Sequence, residues 1–131
     1  MSALKLPLQL GQMINRNNEE LSVKNMHKQK IIEAIHNQQM LKISFRRESD
    51  NDYVTRNVAP YDVYPTENKQ SGLMEDILLG YAERDFEHEA HAVSIYLSNI
   101  QSVIALNQTF DGPEIRRLLK VKRSPYVSRN W

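Results

Sequence analysis

At Met40 the apolar period of this chain switches from that of a helix to that of a strand. From about Ser22 to Asn37, Val23, Met26, Ile31, Ala34 and Ile35 recur near the helical spacing, with lysines and Glu33 on the other side. This predicts one amphipathic helix of about four turns, with Ser22 as its N-cap. In "MLKISFRR" the period is two: Leu41, Ile43 and Phe45 fall on one face, Lys42, Ser44 and Arg46 on the other. A helix that runs into a period-two segment commits the chain to packing a helix against a sheet.

The segments that follow keep to strand-like spacing. "YVTRNVAPYDVYP" alternates Val54, Arg56 and Val58, and Pro60 interrupts the ladder, so it reads as one bent strand or two short ones. "LMEDILLGYA" is apolar on both faces, as an interior strand is, with Gly80 allowing a bend or close packing. "AVSIYL" alternates again, and "SNIQSVIAL" reads as a short turn and a further strand. "ESDND", "TENKQSG" and "ERDFEHEAH" are polar connections. A second helix is expected from about Gly112 to Lys120, with Asp111 and Glu114 spaced as a capping box and Pro113 in the first turn. Helix, about five short strands, helix is an α+β, mainly β order. It suits a small five-stranded barrel or a strongly curved sheet.

Three regions follow: an arm over 1–21, a domain over 22–110 and a C-terminal helix with a basic tail over 111–131. In the arm, Leu4, Leu6, Leu8 and Leu10 alternate around Pro7, as an edge segment does, either folded back or crossing to a partner. The arm and Leu118, Leu119 and Val121 are apolar sets outside the strands, which makes a homodimer a reasonable expectation.

At 131 residues the chain is expected to form one domain. Its formal charge is +1, so no global field draws it to nucleic acid or an anionic membrane. It has no cysteine, which excludes disulfides, cysteine zinc sites and thiol nucleophiles. No apolar run approaches the roughly 20 residues of a membrane span. "MSALKLPLQL" lacks the long apolar region of a signal peptide. A cytoplasmic protein is expected.

Five stretches, in order and spacing, resemble the WYL domain, a bacterial regulatory module with an Sm-like (SH3-type) small barrel. "IIEAI" leads into "LKISFR", similar to the family's opening helix and strand, with Phe45 at a tyrosine position. "RNVAPYDVYP" resembles the R-x-V-x-P segment through Arg56, Val58 and Pro60. "DILLGY" stands where the family has its name motif, "VSIYLSNIQSV" resembles its next segment and "NQTF" its closing stretch. The family's Trp and Tyr are Asp76 and Ile77 here, and two of its arginine positions are Val93 and Asn99. The resemblance implies a non-enzymatic regulatory or sensor module that binds a nucleotide-like or nucleic-acid ligand. Only about 20 residues precede Ser22, too few for a helix-turn-helix. Such a module would act alone, as an oligomer, or through a partner protein that supplies the DNA reader.

The residues point to the same chemistry. If the first two strands pair, Arg46 and Arg56 can share a face, where planar guanidiniums suit phosphate or carboxylate. Tyr61 and Tyr81 nearby would stack a base. Asp76 completes the expected set, and is expected to be exposed or paired with a cation. The alternative is a protein-interaction or scaffold domain that keeps the fold without the ligand site, and a third reading, ranked last, is a small metal-dependent enzyme. After Glu114 the chain carries Arg116, Arg117, Lys120, Lys122, Arg123 and Arg129 and no acid. This tail would contact nucleic acid weakly, be solvated, or dock on the acidic stretch of Glu83, Asp85, Glu87 and Glu89, and is partly disordered alone. "HEAH" places His88 and His91 among carboxylates, but its spacing is not H-E-x-x-H. Neither a metal site nor a cofactor is expected. There is no G-x-S-x-G, and adjacent Glu75 and Asp76 point to opposite faces of a strand, so no catalysis is expected.

Overall fold

The computed structural model describes residues 22–131, so the expectations for the 1–21 arm lie outside it. Helix α1 covers residues 22–37. The strands are β1 (Gln39–Arg46), β2 (Tyr53–Glu67), β3 (Met74–Ala82), β4 (His91–Tyr96) and β5 (Ile100–Thr109). A 3-10 turn, Leu97–Asn99, separates β4 from β5, and α2 spans Gly112–Leu119. The chain is thus α+β and mainly β, with one five-stranded antiparallel sheet in the order β4-β3-β2-β1-β5.

The register decides which face each side chain joins. Leu41 lies opposite Val58, Ile43 opposite Arg56 and Phe45 opposite Val54. On this inner face Ile31, Ala34 and Ile35 of α1 pack with Leu41, Ile43, Val63, Leu78, Ile95 and Val103. One cluster therefore holds residues of α1 and of all five strands, which requires the sheet to curl around it. No backbone ladder joins β4 to β5 among the described residues, so the curl stays open there. Burying each Val, Leu or Ile side chain of this set contributes about 1.5–3 kcal/mol.

The helix differs from expectation at its start. Ser22 is already helical, and Val23 and Met26 are 49% and 57% exposed. The buried stripe is His27, Ile31, Ala34 and Ile35. The apolar period persisted past the point where the sheet can cover it.

β2 is one strand with a bulge. The ladder runs from Pro60–Gly80 to Asp62–Leu79, leaving Tyr61 as the extra residue. Proline lacks the N–H that a regular ladder needs, so an irregularity belongs here. Close packing, not a bend, explains Gly80: a methyl group there would lie 2.7 Å from Cγ1 of Val58 and 2.8 Å from the Ala59 carbonyl oxygen.

A second cluster forms on the outer face, where Met40, Ala59 and Tyr61 pack with Ile115 of α2. The expected capping box does not form, because the Asp111 side chain makes no cap hydrogen bond. Gln38 caps instead: its Oε1 accepts the Gly112 N–H at 2.7 Å. Glu114 pairs with Arg117, and this hydrogen bond holds the Glu114 carboxyl below its ordinary range.

The basic tail is docked. Burial alternates from Pro125 to Trp131, with Val127, Arg129 and Trp131 turned inward and Tyr126, Ser128 and Asn130 exposed. The acceptor is not the acidic stretch of the β3–β4 loop but Asp62, at the bulge of β2. Its Oδ2 accepts the Tyr126 N–H and its Oδ1 the Val127 N–H, both at 2.9 Å.

Candidate functional site

Along the free edge of β4, a cleft of about 280 Å³ opens between β4 and the far end of the β1–β2 hairpin. Its floor comes from inner-face positions. Phe45 and Val54 are register partners, and Ile95 pairs with Leu78 of the core. Val93 completes the floor. Phe45 and Ile95 are buried, while Val54 and Val93 are half-buried.

The rim is polar and comes from Arg47, Arg56, His88, His91 and Ser94. Arg56 is a post inside the wall rather than a free cation, only 4% exposed. Its Nη2 donates to the carbonyls of Glu83 at 3.0 Å and Glu89 at 3.2 Å. Its Nε lies 3.1 Å from Oδ2 of Asp85. The β3–β4 loop thus closes around one guanidinium. Asp85 organises the loop tip by accepting the N–H groups of Glu87 at 2.9 Å and His88 at 2.7 Å.

The other rim groups are more open. Arg47 pairs with Asp50 at 2.6 Å. Nδ1 of His88 lies 3.0 Å from Asp85, and Nδ1 of His91 lies 2.9 Å from the Glu89 carbonyl. The two imidazoles are engaged separately, and no metal-holding group of three or more His, Cys, Asp or Glu occurs among the described residues. An apolar floor under guanidinium and imidazole can hold a flat ring with an acceptor-rich edge.

The five residues singled out in the sequence do not converge. Arg46 and Arg56 fall on opposite faces, since Arg56 pairs with inward Ile43 while Arg46 pairs with Tyr53. Sequence alone could not place them, because their face depends on the hairpin register. Arg46 donates to Oδ1 of Asn51 and of Asn99, each at 2.7 Å, and Asn99 donates to Glu48 at 2.8 Å. Tyr61 and Tyr81 belong to the outer-face cluster beneath α2 and the docked tail, with Tyr61 fully buried. Asp76 meets Lys28 of α1 at 3.0 Å.

In the tail set, Arg116, Lys120 and Lys122 are exposed, Arg117 is held by Glu114, and Arg123 lies 4.3 Å above the Tyr64 ring. The cleft residues missed in the sequence were Phe45, Arg47, Val54, Val93 and Ile95. The alternation of the four apolar residues marks them as core, and the open edge of β4 makes them the floor of a cleft. No helix among the described residues is long and apolar enough to cross a membrane.

No family model matches the chain, and no curated protein matches it. A solved structure is similar: proteasome accessory factor B/C (PafBC) of Arthrobacter aurescens, at TM-score 0.55 and 14% identity, over 78% of this chain. The chain spans 14% of that protein's length. At this identity the likeness shows a shared fold.

Proposed function

We propose that this chain is a non-enzymatic regulatory module of the bacterial cytosol that binds a nucleotide-like ligand in the β4 cleft. The observation that carries this reading is the apolar floor of Phe45, Val54, Val93 and Ile95 set beneath Arg47, His88 and His91. A heteroaromatic ring would lie on the floor, with its phosphate or carboxylate at the guanidinium of Arg47. The WYL-like regulatory assignment draws its support from the motif resemblance in the sequence and from the fold shared with PafBC. A partner protein would supply the DNA reader, and the module would act as a homodimer.

The test is fluorescence anisotropy with labelled nucleotides and short single-stranded RNA and DNA at two salt concentrations. Binding should weaken with salt. Val93→Glu and Arg47→Glu should each lower affinity at least about ten-fold, or ~1.4 kcal/mol, without loss of cooperative unfolding. A folded protein that binds none of these probes at low salt would remove the ligand reading.

The second reading is a protein-interaction domain, and a separate observation favours it. Val23, Met26, Leu73 and Met74 are 49% to 66% exposed. Met74 shares a hollow with Lys24, Asn25 and Lys28 of α1, so exposed apolar surface at the start of β3 lies beside the helix. A chain that binds no nucleotide, yet is captured by a partner in a way that Met26→Glu/Met74→Glu abolishes, fits this reading.

A further inference from the structure

The docked tail is held as a peptide ligand is held. Residues 125–131 run as a strap that bends at Tyr126 and Val127, with alternate residues turned inward. Asp62, 1% exposed, accepts two successive main-chain N–H groups of the strap, from Tyr126 and Val127. Main-chain recognition by a fixed acceptor, with pockets for particular side chains, is how folded domains hold peptide segments.

The pockets are built for particular groups. The Arg129 guanidinium lies between two rings, 4.6 Å from Tyr61 and 4.5 Å from Trp131. Trp131 meets Tyr61 and Phe110 edge-on and donates its indole N–H to the Ile35 carbonyl at 2.8 Å. Gly112 makes room for it, since a methyl group there would lie 2.2 Å from Cε3 of Trp131.

We propose that this groove is a self-association site, which the strap of a second copy can fill in place of the chain's own. Three observations support the exchange. First, every recognised group is on the strap itself, so the groove recognises the same segment from either copy, and the exchange restores each contact. Second, the charges match, because the buried Asp62 carboxylate faces the buried Arg129 with Oδ1 and Nη2 at 3.5 Å. Third, docking is not fully satisfied. Nη1 and Nη2 of Arg129 and the Tyr61 hydroxyl are buried without a hydrogen-bond partner among the described residues. Burying a cation with unpaired N–H groups opposes docking and leaves the strap releasable. The connection after α2 turns at Lys120, φ 57°, and then runs through exposed Lys122, Arg123 and Ser124. It carries the hinge that exchange needs.

Complementation between two variants of the 131-residue chain tests this. Asp62→Ala keeps a strap but loses the groove acceptor. Arg129→Ser/Trp131→Ala keeps the groove but loses the strap. Because Trp131 is the only tryptophan, all tryptophan emission comes from the first variant. Mixing should shift that emission to the blue and give a two-chain species by sedimentation. Two folded variants whose emission and mass stay unchanged on mixing, at tens of micromolar, overturn the proposal. A second arm needs no change at Asp62: a labelled peptide of residues 123–131 is added to the strapless variant. It should bind saturably, at least ten-fold tighter than to the wild-type chain. If the strapless variant is unfolded alone, the peptide should restore its far-UV signal. Failure to bind or to restore folding also overturns the proposal.

Discussion

The indole N–H of Trp131 donates to the main-chain carbonyl of Ile35 at 2.8 Å, across 96 positions of sequence. The bond ties the strap to the last turn of α1, at a carbonyl that also accepts the Gln38 N–H at 3.3 Å. Since Trp131 is the only tryptophan, its emission reports strap docking directly. Native emission should be blue-shifted relative to unfolded chain. Trp131→Phe, which removes the donor and part of the packing, should lower the urea-derived unfolding free energy by about 1–3 kcal/mol.

Gly112→Ala should also act through Trp131. A methyl group cannot fit 2.2 Å from the indole, so either the ring or the start of α2 must move. Alanine is otherwise the better helix former. Overpacking should win, with a net loss of about 1–3 kcal/mol and a red shift of native emission. A Gly112→Ala chain as stable as wild type would show that the indole is not confined by α2.

Arg56 makes a different prediction, confined to one loop. Arg56→Ala removes the donor to the Glu83 and Glu89 carbonyls. Hydrogen bonds from a charged donor contribute more than neutral ones, so the loss should be about 2–3 kcal/mol. Amide exchange in residues 83–90 should accelerate well beyond that in β1 and β5. Uniform acceleration over the whole sheet would contradict the role of Arg56 as the post of this loop.

His27 sets a pH dependence. Burial, followed by the charge of Lys30, pushes its pKa below the usual value of 6.5. The unfolded chain therefore takes up this proton at higher pH than the folded one. Below about pH 6.5 the unfolded state binds more protons, so stability present above that pH is lost as the pH falls further. Urea titrations from pH 8 to 5 should show this decline. His27→Gln, which cannot titrate, should flatten it in that window.

Much of the fold was legible in the sequence because its signals are local. The alternation of Leu41, Ile43 and Phe45, the interruption at Pro60 and the apolar body of Ile77, Leu78 and Leu79 each appear within a few residues. Each became the element it indicated. The candidate site was much less legible. The sequence reading places Arg56 beside Arg46 on one ligand-facing surface, whereas its pairing with Ile43 turns it inward, where loop carbonyls and Asp85 hold it. Arg129 looked like one more charge in a basic tail. Its place between Tyr61 and Trp131 depends on a bulge that brings Tyr61 and Asp62 together beneath the strap. Local periodicity determined which segments are helix or strand. Register, bulge and docking join residues tens of positions apart, so only the tertiary structure decided which charges are buried and which surface remains for a partner.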